Sequence, residues 1–107
     1  MDLLTMQAAA HENSRAKGFW EGPANQNLPT KVALIHSEAS ELLEALRHHN
    51  PPSEHVPTMS AVAEEIADII IRCGDLAEYL GIDLSDAVRA KMAFNATRTI
   101  RHGNKAF

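Results

Sequence analysis

Two pairs of acidic residues share one spacing in this sequence. Glu38 and Glu41 are three residues apart, as are Glu65 and Asp68, and each pair lies in a stretch with helical periodicity. Because a helix turns by about 100° per residue, the two members of a pair project from one side of their helix. Four carboxylates brought together repel one another unless a hard cation neutralises them. The spacing therefore predicts a site for magnesium or a similar ion.

Four helix-like segments position these pairs, and strand-like alternation is scarce. Loops are predicted over residues 18–27 and 50–57, which contain glycine or proline. The length of 107 residues suits one domain, residues 1–107, and short links suggest an all-α, four-helix bundle-like fold. The predicted helices run from about Leu3 to Lys17, from Leu28 to His49, from Thr58 to Leu80 and from the cap Asp83 to about Arg101.

The apolar stripes of the second and third predicted helices indicate where the acidic residues point. Glu38 lies roughly 80° from its stripe and Glu41 roughly 140°, and Glu65 and Asp68 have the same offsets. If the helices are antiparallel neighbours whose stripes face each other, all four carboxylates converge. Glu44 and Glu64 would then be solvated. The stripes are Leu28, Val32, Ile35, Ala39, Leu42 and Leu46, and Val62, Ile66, Ile69, Ile70, Cys73, Leu76, Ala77 and Leu80.

The types of ligand restrict the kind of site. Carboxylates alone favour magnesium, manganese or calcium over zinc. No histidine follows a glutamate by three residues, which disfavours a di-iron bundle, and Walker and Rossmann glycine motifs are absent. A single acidic pair is more often a solvated helix face, and only the matching offsets of two pairs favour a site.

Basic residues gather near the carboxyl terminus. Residues 38–86 contain eleven acidic and two basic side chains, whereas residues 87–107 contain five basic and no acidic ones. Lys91, Asn95, Arg98 and His102 recur on one helical stripe, which suits a bound phosphate. A helix end that projects past the core explains the same pattern equally well. Trp20 lies in the predicted loop over residues 18–27, where its ring either stacks on a nucleobase or plugs the end of the bundle.

Location and assembly also follow from simple patterns. No apolar run approaches the ~20 residues of a membrane span, and no signal pattern is present. A lone cysteine, Cys73, fits a reducing cytoplasm. Ile71 points away from the predicted core face, and a site on the open side of a helix pair needs closure. We therefore expect a homodimer or a homotetramer made of dimers.

These residues resemble the MazG-like family of all-α nucleoside triphosphate pyrophosphohydrolases. The family pattern is E-x-x-E on one helix and E-x-x-D on the next, and the two acidic pairs match it. The segment Lys17–Trp20 and the stretch Lys91-x-x-x-Asn95-x-x-Arg98 are similar to the family's other substrate-contacting segments. The resemblance spans nearly the whole chain.

The resemblance implies hydrolysis of a nucleoside triphosphate to its monophosphate and pyrophosphate, with water attacking the α-phosphorus. It implies that Mg²⁺, or Mn²⁺ in its place, is held by the four carboxylates, with Glu41 as an alternative general base. Lys91 and Arg98 would contact phosphate, Asn95 sugar or phosphate, and Trp20 the base. The implied partners are the nucleotide and further copies of the chain, and neither nucleic-acid polymer nor membrane.

Two other functions fit the sequence. One is a regulatory module that binds nucleotide or metal without cleaving. The other is a structural adaptor whose acidic patch is merely solvated.

Overall fold

The computed structural model describes residues 1–98, apart from the side chains of Ala24 and Asn25. Within these residues the chain is all-helical, as predicted. None of the helices in this range has the length and hydrophobicity needed to cross a bilayer. The helices are α1 (Leu3–Ala16), the single turn α2 (Gly22–Asn25), α3 (Leu28–Arg47), α4 (Ala61–Tyr79) and α5 (Leu84–Ala96).

Side-chain caps define where the long helices begin. Asp2, Asn27, Ser60 and Asp83 each accept a hydrogen bond from the backbone N–H three residues ahead, at 2.8–3.3 Å. These bonds satisfy amide groups that have no partner within the helix. The cap at Asp83 was predicted, but α5 ends at Ala96, and the predicted end at Arg101 lies outside the described residues.

Helix α4 lies between α1 and α3 and packs against both. Gly74 allows α1 to approach closely, because a Cβ atom there would lie 2.8 Å from Met6 Sδ and 3.3 Å from Gln7 Cα. Both neighbours run antiparallel to α4. Glu38 in the middle of α3 contacts Arg72, whereas Asn50 just beyond the end of α3 accepts from the N–H of Val62 at the start of α4.

Gln7 joins α1 to the turn that precedes α5. Its side chain is buried, with 1% of its surface exposed. The amide nitrogen donates to Glu78 Oε1 and to the carbonyl of Ile82, and the amide oxygen accepts from the N–H of Leu84. These contacts fix the start of α5, although no residue of α5 is fully buried and this helix packs mainly along α1. The four-helix bundle itself stays a prediction.

The apolar stripes of α3 and α4, which were expected to converge on each other, are only partly covered. Val32 and Leu46 on α3 are 44% and 57% exposed, and Ile66 and Ile70 on α4 are 45% and 46% exposed. Most of the other stripe residues are half-buried or buried, and the covered side of α3 also includes the buried Glu38.

Candidate metal centre and adjoining cavities

Three of the four predicted carboxylates meet where α3 and α4 pack together. Glu38, Glu65 and Asp68 each present an oxygen atom, and these atoms all lie within 4.8 Å of one another. Glu41 is exposed and lies outside this group, yet it is close enough to influence the pKa of Glu65. We call Glu38, Glu65 and Asp68 the carboxylate cluster.

The cluster is more deeply buried than its sequence offsets suggested. Glu38 is only 7% exposed, because it lies within the packed face of α3 rather than roughly 80° to its side. The Oε2 atoms of Glu38 and Glu65 are buried and have no hydrogen-bond partner among the described residues. The other oxygen of Glu38 accepts a hydrogen bond from Arg72 Nε at 2.9 Å. The cluster therefore lacks donors on two of its oxygens and needs protons or a cation.

Two members of the cluster have raised pKa values. Burial, followed by the neighbouring groups Glu38 and Glu41, raises the pKa of Glu65 to about 7. Burial also raises the pKa of Asp68, and the charge of Glu38 adds to this effect. Carboxylates with raised pKa values favour a proton when no other cation neutralises them.

The donor set fits a hard divalent cation. All available ligand atoms are carboxylate oxygens, which magnesium and manganese prefer, and no histidine or cysteine belongs to the group. The buried oxygens without partners make this fit more specific than an exposed acidic patch would, because a cation would satisfy atoms that otherwise have no partner.

Two cavities near the cluster share part of their walls, and one of them is lined by members of the cluster. The aromatic cavity, of about 250 Å³, lies between α1, α3 and α4 and includes Leu34 and Leu76. The acidic cavity, also about 250 Å³, includes Glu38, Asp68 and Lys17. Their shared lining residues are Ser14, Phe19, Arg72 and Asp75. A ligand that occupies both would place one end against aromatic rings and the other against the carboxylate cluster.

Trp20 is a packed residue rather than an open stacking surface. It is 7% exposed, its ring stacks on Tyr79 with centroids 4.2 Å apart, and its N–H donates to Asp75 at 2.9 Å. The Lys31 ammonium lies 4.3 Å from the centre of the indole ring. Trp20 still borders the aromatic cavity, but the exposed aromatic side chain there is Phe19, at 54%.

The predicted phosphate-binding residues lie elsewhere in the chain. Lys91 and Asn95 are on α5, and Arg98 follows its end. Lys91 and Arg98 lie over the ring of Phe94, at 4.6 and 5.7 Å from its centre. No residue of α5 lines the aromatic or the acidic cavity within the described part of the chain. His102, which continues the same stripe, is outside the described residues.

Glu64 is not the solvated charge that the sequence predicted. Its carboxylate accepts hydrogen bonds from Ser53 Oγ at 2.8 Å and lies 2.7 Å from His55 Nδ1. The hydrogen bond from Ser53 lowers the pKa of Glu64, and the bond to Glu64 raises the pKa of His55. This contact ties the loop before α4 to the helix and sets Glu64 apart from the cluster.

Comparison with known proteins identifies the family. A dATP/dGTP diphosphohydrolase of Cyanophage S-2L is 35% identical over 96 residues, which cover 88% of this chain and 80% of that protein. The chain belongs to the MazG-like nucleotide pyrophosphohydrolases. No family model matches the chain. No solved structure matches it either.

Several residues at or near the cavities of this MazG-like chain were not predicted as site residues from the sequence. Asp75 accepts the N–H of Trp20 and lies 2.7 Å from His11 Nδ1, and Arg72 pairs with Glu38. Positions 68, 72 and 75 follow helical spacing on one face of α4, and that signal was available in the sequence. His11 gave no such signal, because its partner lies 64 residues away.

Proposed function

We propose that this protein hydrolyses deoxynucleoside triphosphates to the monophosphate and pyrophosphate in a magnesium-dependent reaction. The observation that carries the proposal is the convergence of Glu38, Glu65 and Asp68. Two of their buried oxygens have no donor among the described residues, and the acidic cavity that Glu38 and Asp68 line shares a wall with the aromatic cavity. Membership of the MazG-like family supports the same reaction. Because the relative from Cyanophage S-2L is a dATP/dGTP diphosphohydrolase, dATP and dGTP are the first substrates to test.

The carboxylate cluster holds the divalent ion in this proposal. Such an ion supplies positive charge that stabilises the phosphate oxygens in the transition state and makes water more acidic. Glu41 does not belong to the cluster and is exposed, so we assign it to accept the proton of the attacking water. The water forms a bond to the α-phosphorus, the bond from that phosphorus to the bridging oxygen breaks, and pyrophosphate leaves.

The nucleoside end of the substrate occupies the aromatic cavity. Its volume of about 250 Å³ lies near the lower end of ligand sites, which suits a base with part of its sugar. Phe19 offers an exposed ring for stacking, while the buried Trp20 forms part of the wall. Asp75 and the Ser14 hydroxyl supply polar groups for the edge of a base, and this hydroxyl is buried with no partner in the part of the chain that the structure describes.

A second copy of the chain completes the enzyme in this proposal. The exposed apolar side chains on α3 and α4, which include Leu46 and Ile70, offer a surface for it. The basic residues Lys91 and Arg98 reach neither cavity of their own chain, so we propose that they, with Asn95, serve the site of a partner in a homodimer or homotetramer.

Mixing two inactive variants tests this arrangement. One variant carries Asp68→Asn, and the other carries Lys91→Ala with Arg98→Ala. If α5 acts in a partner's site, subunit exchange restores activity, because a hybrid dimer contains one site with both sets of residues intact. If α5 acts in its own chain, every site in the mixture lacks one set and activity stays absent. A substitution such as Ile70→Glu should yield monomers by light scattering.

The reaction itself is tested by pyrophosphate release from a panel of common and damaged triphosphates with magnesium or manganese. We expect release from dATP or dGTP, abolished by Glu38→Gln and by Asp68→Asn. Glu12→Gln, an exposed change on α1, is the control and should retain activity. Nucleotide binding without pyrophosphate release from any member of the panel would identify a regulatory module and refute the enzymatic proposal.

A further inference from the structure

Arg72 borders both cavities beside the carboxylate cluster. Lys31 lines the aromatic cavity and Lys17 lines the acidic cavity, whereas Arg72 lines each of them. The Arg72 side chain is 37% exposed, so it remains accessible to a ligand. A positive charge therefore lies at the boundary between the place proposed for the nucleoside and the place proposed for the ion.

The guanidinium group has capacity to bind more than Glu38. Its Nε donates to Glu38 Oε1 at 2.9 Å, and the described residues supply no hydrogen-bond partner for its two terminal nitrogens. A guanidinium carries five N–H donors in a planar arrangement, which suits two oxygens of one phosphate. Asp75 lines both cavities and Asp68 lines the acidic one, but among the described residues only Glu38 lies within ion-pair distance of Arg72. Arg72 thus has unused donors that face a cavity.

We propose that Arg72 binds the α-phosphate of the substrate, an inference that rests on the proposed function. The α-phosphate joins the nucleoside to the other two phosphates, so it must lie where the aromatic and acidic cavities meet, and Arg72 is on that boundary. Without a ligand, Arg72 neutralises Glu38 instead. When a divalent ion takes over the charge of Glu38, the guanidinium exchanges this carboxylate for the phosphate.

The contact is tested by comparing two ligands that differ by the α-phosphate alone, deoxyguanosine and dGMP. Their dissociation constants are measured with magnesium by calorimetry for the wild type and for Arg72→Gln. We expect the substitution to weaken dGMP binding by about 10–100-fold, as for loss of a charge-assisted hydrogen bond, and to leave deoxyguanosine binding unchanged. Equal weakening of both ligands, or of neither, would overturn the proposal.

A matched control and a second variant separate this role from a structural one. Arg47 pairs with Glu44 at 3.0 Å on the exposed side of α3, so Arg47→Gln removes a comparable ion pair away from the cavities and should change neither affinity. Arg72→Lys keeps the charge beside Glu38 but loses the planar donor pair. It should preserve the melting temperature and still weaken dGMP binding, and retention of wild-type dGMP affinity in this variant also counts against the proposal.

Pyrophosphate release and dGMP binding test the enzymatic reaction and the role of Arg72 separately. If the wild type releases pyrophosphate but Arg72→Gln binds dGMP as the wild type does, Arg72 has no role at the α-phosphate and the enzymatic proposal stands. If the wild type releases no pyrophosphate from any triphosphate, the enzymatic proposal fails, whatever Arg72 binds.

Discussion

Replacing Glu65 with glutamine should stabilise the metal-free protein. The pKa of Glu65 is about 7 instead of the ordinary 4.5, and this difference corresponds to about 3 kcal/mol of unfavourable free energy for the ionised form. Glutamine removes the charge but keeps a buried polar group, which costs roughly 1 kcal/mol. Because water in the adjoining cavities screens part of the charge, we expect a net gain of about 1–2 kcal/mol at pH 8. The melting temperature should rise by about 5–10 °C.

The raised pKa of Glu65 makes the stability of the metal-free protein depend on pH. Folded Glu65 keeps its proton up to about pH 7, whereas the unfolded chain releases it near 4.5, so the folded state binds more protons between these values. The free energy of unfolding of the metal-free wild type should therefore fall as the pH rises from about 4.5 to 7. This contribution should be absent in Glu65→Gln. Thermal melting followed by circular dichroism at pH 5.5, 7 and 8 in the presence of a chelator measures both proteins.

Magnesium should reverse the order of stability. An ion at about 100 times its dissociation constant stabilises the folded wild type by about 2.7 kcal/mol, and the variant, which lacks one ligand, should respond weakly. Glu12→Gln serves as the control and should melt like the wild type under all conditions. The reasoning is refuted if Glu65→Gln melts below the wild type at pH 8 without metal, or if magnesium raises both melting temperatures equally.

Three further outcomes follow from the packing. Gly74→Ala should lower the free energy of unfolding by about 1 kcal/mol. The added Cβ meets Met6 and the backbone of Gln7, which costs about 2 kcal/mol, and the higher helix propensity of alanine returns about 1 kcal/mol; a higher melting temperature would contradict the close approach of α1 and α4. The fluorescence of Trp20, the one tryptophan of the chain, should change when dGMP fills the aromatic cavity, and titration without any change would place the ligand elsewhere. The melting temperature should rise with protein concentration if a second copy covers α3 and α4, and light scattering with melting across a hundredfold dilution checks this.

The helices were predictable because their ends depend on local chemistry. Asp83 caps α5 as expected, and Gly81, with φ of 71°, follows the end of α4 near the predicted position. The one-turn helix α2 lay within a predicted loop, since a four-residue helix leaves almost no periodic signal. The convergence of Glu38, Glu65 and Asp68 was also expected from their spacing.

The orientation of the helices was not predictable from periodicity. Helix α4 carries Ile69, Ile70 and Ile71 in succession, so its apolar surface extends around much of the helix. Periodicity shows that such a surface prefers to be covered, but it does not show whether a helix of the same chain or of another copy covers it. The same limit applies to α3, because Leu46 of its stripe is exposed whereas Leu42, one turn earlier, is half-buried.

Polar partners distant in sequence were equally hidden. In the sequence, Asp75 is one of many acidic residues in its segment, and nothing predicts its contacts with His11 and Trp20. Trp20 occurs in a loop, where an aromatic ring suits stacking on a base, but the rings of Tyr79 and Trp20 stack on each other instead. Such outcomes depend on tertiary packing, which no local pattern contains.

The carboxylate cluster occupies part of the covered space between the helices, which limits how much apolar surface one chain buries. In the proposed function the carboxylates hold a cation beside a sheltered cavity, and in this chain the acidic cavity lined by α1, α3 and α4 provides it. Residues that occupy this space cannot also supply an apolar core, and among residues 1–98 the buried hydrophobic side chains are only Trp20, Ala45 and Ala77. A small domain with so little buried apolar surface gains limited stability from its own packing. The exposed isoleucines and leucines of α3 and α4 then have a physical role, because covering them with a second copy would supply the hydrophobic stabilisation that the polar interior of one chain lacks.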